Sequence, residues 1–258
     1  MQSSWVRTFC KRPDARLKMF CFPHAGGGAS AYRLWHAGLP PSVEVCAVQL
    51  PGREGRFGEA PVRNIEVLVG LLAERLAAHC VRPFVFFGHS MGAVVACELA
   101  RVLAARGESV PEQLIVSARR PPHVPDMQPP IHLLDDQAFI SEIERRYGGI
   151  PEEVRAEPDL MALLLPSLRA DIEALELFQP CSRAPLPMPI TVFGGEQDRL
   201  VPRAHLEAWR SETAAAFRVR SFAGSHFYLQ ERPSEVLSEL SLIAGEIVGR
   251  LTYEGIPS

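Results

Sequence analysis

Short apolar runs alternate along the chain with segments whose apolar residues recur at helical spacing. Residues 17–22, 43–49, 84–87, 113–117, 190–193 and 217–221 are compact apolar runs that read as strands. Residues 5–9 form a candidate extra edge strand. Over residues 64–80, Ile65, Leu68, Val69, Leu72 and Leu76 fall on one helical face, and Asn64 is placed to cap that helix. A helix over 93–106 follows a strand directly, with Gly107 just past its end. Residues 203–211 and 234–250 supply two more helices. Strands alternating with helices predict βαβ units, hence an α/β fold with a mostly parallel sheet covered on both faces.

One stretch breaks the alternation. About seventy residues without a strand pattern separate Ser117 from Ile190, too many for a structureless loop in a compact domain. Pro121, Pro122, Pro125, Pro129 and Pro130 lead in, and Pro180, Pro185, Pro187 and Pro189 lead out. Between them, residues 135–147 and 159–178 carry helical patterns joined by Gly148, Gly149 and Pro151. The expected organisation is one domain over residues 1–258 with a helical lid insertion over approximately 120–188. Pro166 falls inside the second helix and predicts a kink there.

Composition narrows the class. A chain of 258 residues, 47% hydrophobic and 22% charged, is that of an ordinary globular protein and excludes a disordered one. The net charge of −3, from 27 basic and 30 acidic residues, argues against nucleic acid as the main partner. The longest stretch free of charged residues, 83–97, is shorter than the ~20 residues of a spanning helix, and no signal peptide is evident. The six cysteines form no C-x-x-C pair and sit at no zinc-ligand spacing, as expected of reduced thiols in a cytoplasmic protein without a metal site.

The chemistry centres on Gly88-His89-Ser90-Met91-Gly92, which follows an apolar strand and precedes a helix. G-x-S-x-G in that context is a nucleophile elbow: the turn lifts the serine hydroxyl above the sheet, at a helix N-terminus. There the Met91 N–H is placed to face a developing oxyanion. A serine needs a base, and the base an orienting acid, in the chain order Ser, acid, His. His226, in a small-residue loop after the last strand, is the candidate base; His205 lies in a helix, and His123 and His132 in the insertion. Asp198, in the loop after residues 190–193, is the candidate acid, with Glu196 its nearest competitor. The Gly-rich loop Phe22-Pro23-His24-Ala25-Gly26-Gly27-Gly28 follows the first strand and supplies the Ala25 N–H as a second oxyanion donor. It lacks the glycine spacing of a dinucleotide or nucleotide-phosphate loop.

With these residues the chain resembles an α/β-hydrolase of the thioesterase type. More narrowly it resembles the type II thioesterases that accompany polyketide and nonribosomal peptide synthases. The stretches that carry the resemblance are 22–27, 49–57 (Gln-Leu-Pro-Gly-Arg-Glu-Gly-Arg-Phe), 88–92, 147–151, 165–171, 194–198 and 224–227. Small departures are Ala118 where a glycine is usual, Phe178 where a tyrosine is, and Ser225 where a second glycine is.

The resemblance implies an acyl or aminoacyl thioester substrate on the phosphopantetheine arm of a carrier protein, and the removal of aberrant or stalled acyl groups from a synthase. The partner is then a transiently bound acyl or peptidyl carrier protein, with no nucleic acid, membrane or cofactor, since the substrate carries the phosphopantetheine. Within that reading Met161, Leu164, Leu165 and Leu168 are candidates to line an acyl channel, with packing onto the sheet as the alternative. Arg169 and Asp171 form a candidate structural charge pair, and Arg119, Arg120, Arg145 and Arg146 a candidate basic docking rim. Rival readings are a medium-chain fatty acyl thioesterase, a general carboxylesterase or lipase, an acyltransferase, and a non-catalytic scaffold.

Overall fold

The computed structural model describes residues 5–81, 83–180 and 184–253. Seven strands, β1 (Val6–Arg7), β2 (Leu17–Phe22), β3 (Val43–Val48), β4 (Phe84–His89), β5 (Leu114–Ser117), β6 (Ile190–Gly195) and β7 (Phe217–Phe222), form one sheet in the order β1-β3-β2-β4-β5-β6-β7. β1 runs antiparallel to β3, and every other pairing is parallel. The helices are α1 (Trp35–Gly38), α2 (Ile65–Leu76), α3 (Met91–Ala105), α4 (Asp136–Arg146), α5 (Glu152–Arg155), α6 (Pro158–Leu177), α7 (Arg203–Glu207), α8 (Tyr228–Glu231) and α9 (Pro233–Tyr253). This is the mostly parallel α/β sheet that the strand and helix pattern led to, in the arrangement that the resemblance to α/β-hydrolases implies.

Strand periodicity divides the core in two. Phe20, Phe22, Phe84, Phe86, Leu114 and Val116 point to one face, where α2 and α3 cover them. Met19, Cys21, Val85, Phe87 and Ile115 point to the other, against Trp35 and the apolar side of α9 (Val236, Leu240, Ile243, Ile247). A central strand sandwiched in this way is apolar at successive positions, so its run is visible in sequence. The Asn64 side chain accepts from the Val67 N–H at 2.8 Å, the cap expected of it.

The elements differ from expectation mainly at their ends. β4, β6 and β7 run one or two residues further than their apolar runs, because the backbone ladder continues through residues such as Gly88 and His89 that carry no hydrophobic signal. The helix expected over 203–211 divides into α7 and a 3-10 turn over Ala208–Glu212. The four-residue helices α1, α5 and α8 are too short to show a period.

The segment between β5 and β6 holds α4, α5 and α6 and a small core of its own: Ile131, Phe139, Ile143, Leu168 and Ile172. Helix α6 runs through Pro166 as one element. Ser167 Oγ donates to the Leu164 carbonyl at 3.0 Å beside the turn where the proline lacks an N–H.

Two expectations about charges in this region are corrected. Arg169 and Asp171 are not partners, because residues two apart on a helix point to different sides. Arg169 instead bonds Asp136 at 2.6 Å and lies over the Phe139 ring, while Asp171 meets Arg53. The four arginines also make no free basic rim. Arg120 pairs with Asp126, Arg145 and Arg146 both pair with Glu142, and burial pushes the Arg119 pKa down.

The described cysteines carry no disulfide, and Cys21, Cys46, Cys80 and Cys97 are buried; Cys181 lies outside the described residues. No helix among the described residues is long and apolar enough to cross a membrane.

Candidate active site

Strand β4 delivers Ser90 to the C-terminal edge of the sheet and α3 begins at the next residue. Ser90 adopts φ +53° and ψ −114°, a conformation that costs a non-glycine residue about 1–3 kcal/mol. The surroundings hold it there. The Ser90 N–H donates to the Ser117 carbonyl at 2.8 Å. A Cβ on Gly88 would lie 2.1 Å from the Gly92 carbonyl oxygen, and one on Gly92 would lie 2.1 Å from the Phe22 carbonyl oxygen. Both elbow glycines are therefore needed for close packing. The second contact also brings the end of β2, and the Gly-rich loop after it, against the start of α3.

His226 and Asp198 come from the loops after β7 and β6, strands that are neighbours in the sheet. His226 Nε2 is 3.1 Å from Ser90 Oγ, and His226 Nδ1 is 2.7 Å from Asp198 Oδ2. Asp198 Oδ1 accepts from the Leu200 N–H at 3.0 Å, which fixes the carboxylate plane. All three side chains are buried. Glu196, the competing acid, is exposed. The three sequence-selected residues thus form one hydrogen-bonded chain, in which a proton on Nδ1 leaves Nε2 free to accept from the serine.

Of the two backbone donors selected from sequence, the Ala25 residue lines the cavity beside Ser90, and Met91 is the first residue of α3. Neither N–H meets an acceptor among the described residues. An unpaired helix N-terminal N–H next to a buried hydroxyl suits an anion.

The cavity in front of Ser90 has a volume of about 660 Å³, within the range of small-molecule sites. The loop His24–Gly28, Ser30, Arg53, Glu54 and Phe57 form one wall, and Ile143, Tyr147–Pro151 and Val154 another. Leu160, Leu163, Leu164, Leu168, Ile172 and Leu175 of α6 close it. Leu164 and Leu168 therefore lie where the channel assignment put them, whereas Met161 and Leu165 do not line the cavity. The difference is one of packing rather than helical phase, since Met161 and Leu165 fall seven residues before Leu168 and Ile172 and share their side of the helix. Met161 is buried and Leu165 packs on the insertion's own core.

Sequence reading missed an aromatic and imidazole shell around His226. Tyr147, His89 and Phe227 have ring centroids 5.3, 5.5 and 5.3 Å from the His226 ring. His89 turns away from Ser90, as adjacent residues on a tight turn must, and its Nδ1 meets Ser117 Oγ at 2.8 Å; Ser117 in turn bonds the Tyr228 hydroxyl at 2.5 Å. Burial first, then the charges of His226 and His24, hold the His89 pKa well below the ordinary histidine value. His24 is lowered to about 4, again by burial first and then by His226 and Arg53. Both rings are therefore neutral near pH 7. No three His, Cys, Asp or Glu side chains gather at a metal-binding arrangement among the described residues.

Comparison with known proteins agrees with this geometry. The family model described as a thioesterase domain matches residues 17–243. The gramicidin S biosynthesis protein GrsT of Aneurinibacillus migulanus is 42% identical over 223 residues, covering 86% of this chain and 87% of that protein. Thioesterase PikA5 of Streptomyces venezuelae is 38% identical over 244 residues, covering 92% and 84%. Among solved structures, the type II thioesterase BorB of the borrelidin biosynthetic cluster superposes with a TM-score of 0.82 at 34% identity, covering 93% of this chain and 96% of that one.

Proposed function

The chain belongs to the thioesterase family, and on that premise we propose that it hydrolyses acyl or aminoacyl thioesters held on the phosphopantetheine arm of a carrier protein. The observation that carries the reading is the buried chain Asp198–His226–Ser90 opening onto an apolar cavity. Similarity to BorB and PikA5 supports the narrower assignment, an editing enzyme that frees carrier proteins of a polyketide or nonribosomal peptide synthase from aberrant or stalled acyl groups.

In this reading His226 Nε2 takes the Ser90 proton as Oγ attacks the thioester carbonyl. The oxyanion rests on the N–H groups of Ala25 and Met91, and Asp198 steadies the imidazolium through Nδ1. Collapse breaks the C–S bond, and the proton on Nε2 leaves with the phosphopantetheine thiol. Water then attacks the acyl-serine, giving its proton to Nε2, and that proton returns to Ser90 Oγ as the free acid departs. The protein requires no cofactor of its own for these steps. The segment between β5 and β6 acts as a lid, because its helix α6 forms much of the cavity wall over Ser90. The expected location is the cytoplasm, beside the synthase.

The test is intact-mass analysis of carrier proteins loaded with acetyl, propionyl, butyryl or aminoacyl groups, before and after addition of the enzyme. Loss of the acyl mass with the phosphopantetheine arm retained supports the reading. Hydrolysis of simple esters with carrier thioesters left intact favours a general esterase instead. Transfer of the acyl group to an added alcohol or amine would identify an acyltransferase.

A further inference from the structure

Asp171 lies in α6, far along the chain from Ser90, yet it bonds directly to the Gly-rich loop. Its Oδ2 accepts from the Gly26 N–H at 2.8 Å and from Arg53 Nη1 at 2.5 Å, and its Oδ1 accepts from Arg53 Nη2 at 2.9 Å. Arg53 Nη1 also donates to the Gly27 carbonyl at 3.2 Å, and its Nε donates to the Pro51 carbonyl at 3.2 Å. The two side chains are only 6% and 2% exposed. A buried ion pair is weak evidence for stability, because desolvation offsets most of the attraction, so its place in the structure calls for another reason.

That reason lies in the peptide it holds. The Gly26 N–H belongs to the peptide unit that begins with the Ala25 carbonyl, so holding that plane restrains the rotation at Ala25 that aims the neighbouring Ala25 N–H. We propose that Asp171 and Arg53 are positioning residues for the oxyanion loop. The carboxylate of the lid helix locks the Ala25–Gly26 peptide, and the guanidinium ties down the Gly27 carbonyl while cancelling the carboxylate charge. An uncancelled anion there would oppose the negative charge that develops on the substrate oxygen. The loop and the lid are in this way one unit: the donor is aimed only while this part of α6 is docked.

The inference rests on the hydrolytic reading of Ser90, and its test separates the two. Wild type, D171A, D171N and R53K are compared for kcat and KM on an acyl-carrier thioester, for inhibition by a trifluoromethyl ketone that adds to Ser90 and forms an oxyanion, and for thermal stability. D171A is expected to lower kcat about 10- to 100-fold, the scale of a misaimed group, with KM within about threefold. Its affinity for the trifluoromethyl ketone should fall in parallel. D171N keeps an oxygen to accept from Gly26 and should recover part of the loss. R53K keeps the charge without the two-pronged geometry; should D171A not fold, R53K is read for the same fall in kcat and in ketone affinity.

A fall in melting temperature with kcat and ketone affinity unchanged overturns the proposal and leaves a structural clamp. A rise in KM alone overturns it too. Fluorophosphonate labelling of wild-type Ser90, run in parallel, keeps the outcomes distinct. Absence of both labelling and turnover in wild type overturns the hydrolytic reading itself. A labelled, active wild type with a fully active D171A overturns the positioning role alone.

Discussion

Asp198 and His226 stand on consecutive strand-end loops of the sheet, with Oδ2 and Nδ1 2.7 Å apart and both side chains buried. The carboxylate selects the imidazole tautomer that presents a bare Nε2 to Ser90. Asp198→Asn is therefore expected to fold but to lose about 10⁴ in kcat, since the amide favours the opposite tautomer. Glu196→Gln, at an exposed position, should change kcat by less than about threefold. Steady-state kinetics of the two variants on one thioester checks the assignment, and reversed results would move the acid to Glu196.

The neutral histidines around the site make stability depend on pH. His24 has a folded pKa of about 4 against an unfolded value of about 6.5, so the unfolded chain takes up a proton first as pH falls. Its contribution is complete above about pH 6.5, declines between about 6.5 and 4, and is gone below that. The difference corresponds to at most about 3 kcal/mol, a ceiling because the ring borders the cavity. His89, also lowered, adds a loss of the same sign. Urea unfolding at pH 7, 6 and 5 should show falling stability, and His24→Gln should flatten that slope. An unchanged slope in the variant would show that His24 is not held neutral.

Gly149 has φ +86°, and a Cβ there would lie 2.1 Å from the Phe227 ring, which itself touches His24 and His226. Gly149→Ala should therefore strain the backbone and push Phe227 toward the imidazole. The expected result is a loss of about 1–3 kcal/mol in stability and about tenfold or more in kcat. Chemical denaturation and kinetics on the same preparation check both halves.

Cavity chemistry predicts substrate preference. The α6 wall is made of leucines and an isoleucine with one uncharged polar residue, Ser167, the Arg53 charge is spent on Asp171, and Glu54 adds an acid that accepts from the Ser30 N–H. A free carboxylate in this space loses hydration without gaining a cationic partner. Propionyl-carrier thioesters should exceed methylmalonyl-carrier thioesters in kcat/KM by about tenfold or more. A competition assay with equal amounts of both loaded carriers measures the ratio, and equal or faster loss of the methylmalonyl species would contradict the apolar-cavity argument.

Much of this arrangement was legible in the chain, for identifiable reasons. The central strands are apolar at consecutive positions because they are buried on both faces, and the elbow is legible because Gly88 and Gly92 are each demanded by a close backbone approach. Ser90, Asp198 and His226 follow from their places at strand ends. What was illegible depends on three-dimensional packing and partner choice. Met161 is buried and Leu165 packs on the insertion's own core instead of lining the cavity, though their hydrophobicity matches that of Leu164 and Leu168. Asp171 takes Arg53 rather than Arg169 because its partner comes from a loop 118 residues away in the chain. The shell of His24, His89, Tyr147 and Phe227 gave no spacing signal, since its members come from four separate segments.

The most direct test of the central claim is a rapid-quench mass measurement of the enzyme mixed with a propionyl-loaded carrier protein. The account predicts a transient propionyl group on the peptide that carries Ser90, formed as the carrier loses it. Ser90→Ala should show no adduct and a kcat lower by about 10⁴–10⁶. Turnover by Ser90→Ala at a tenth of the wild-type rate, or a wild-type acyl group found on any other residue, would contradict it.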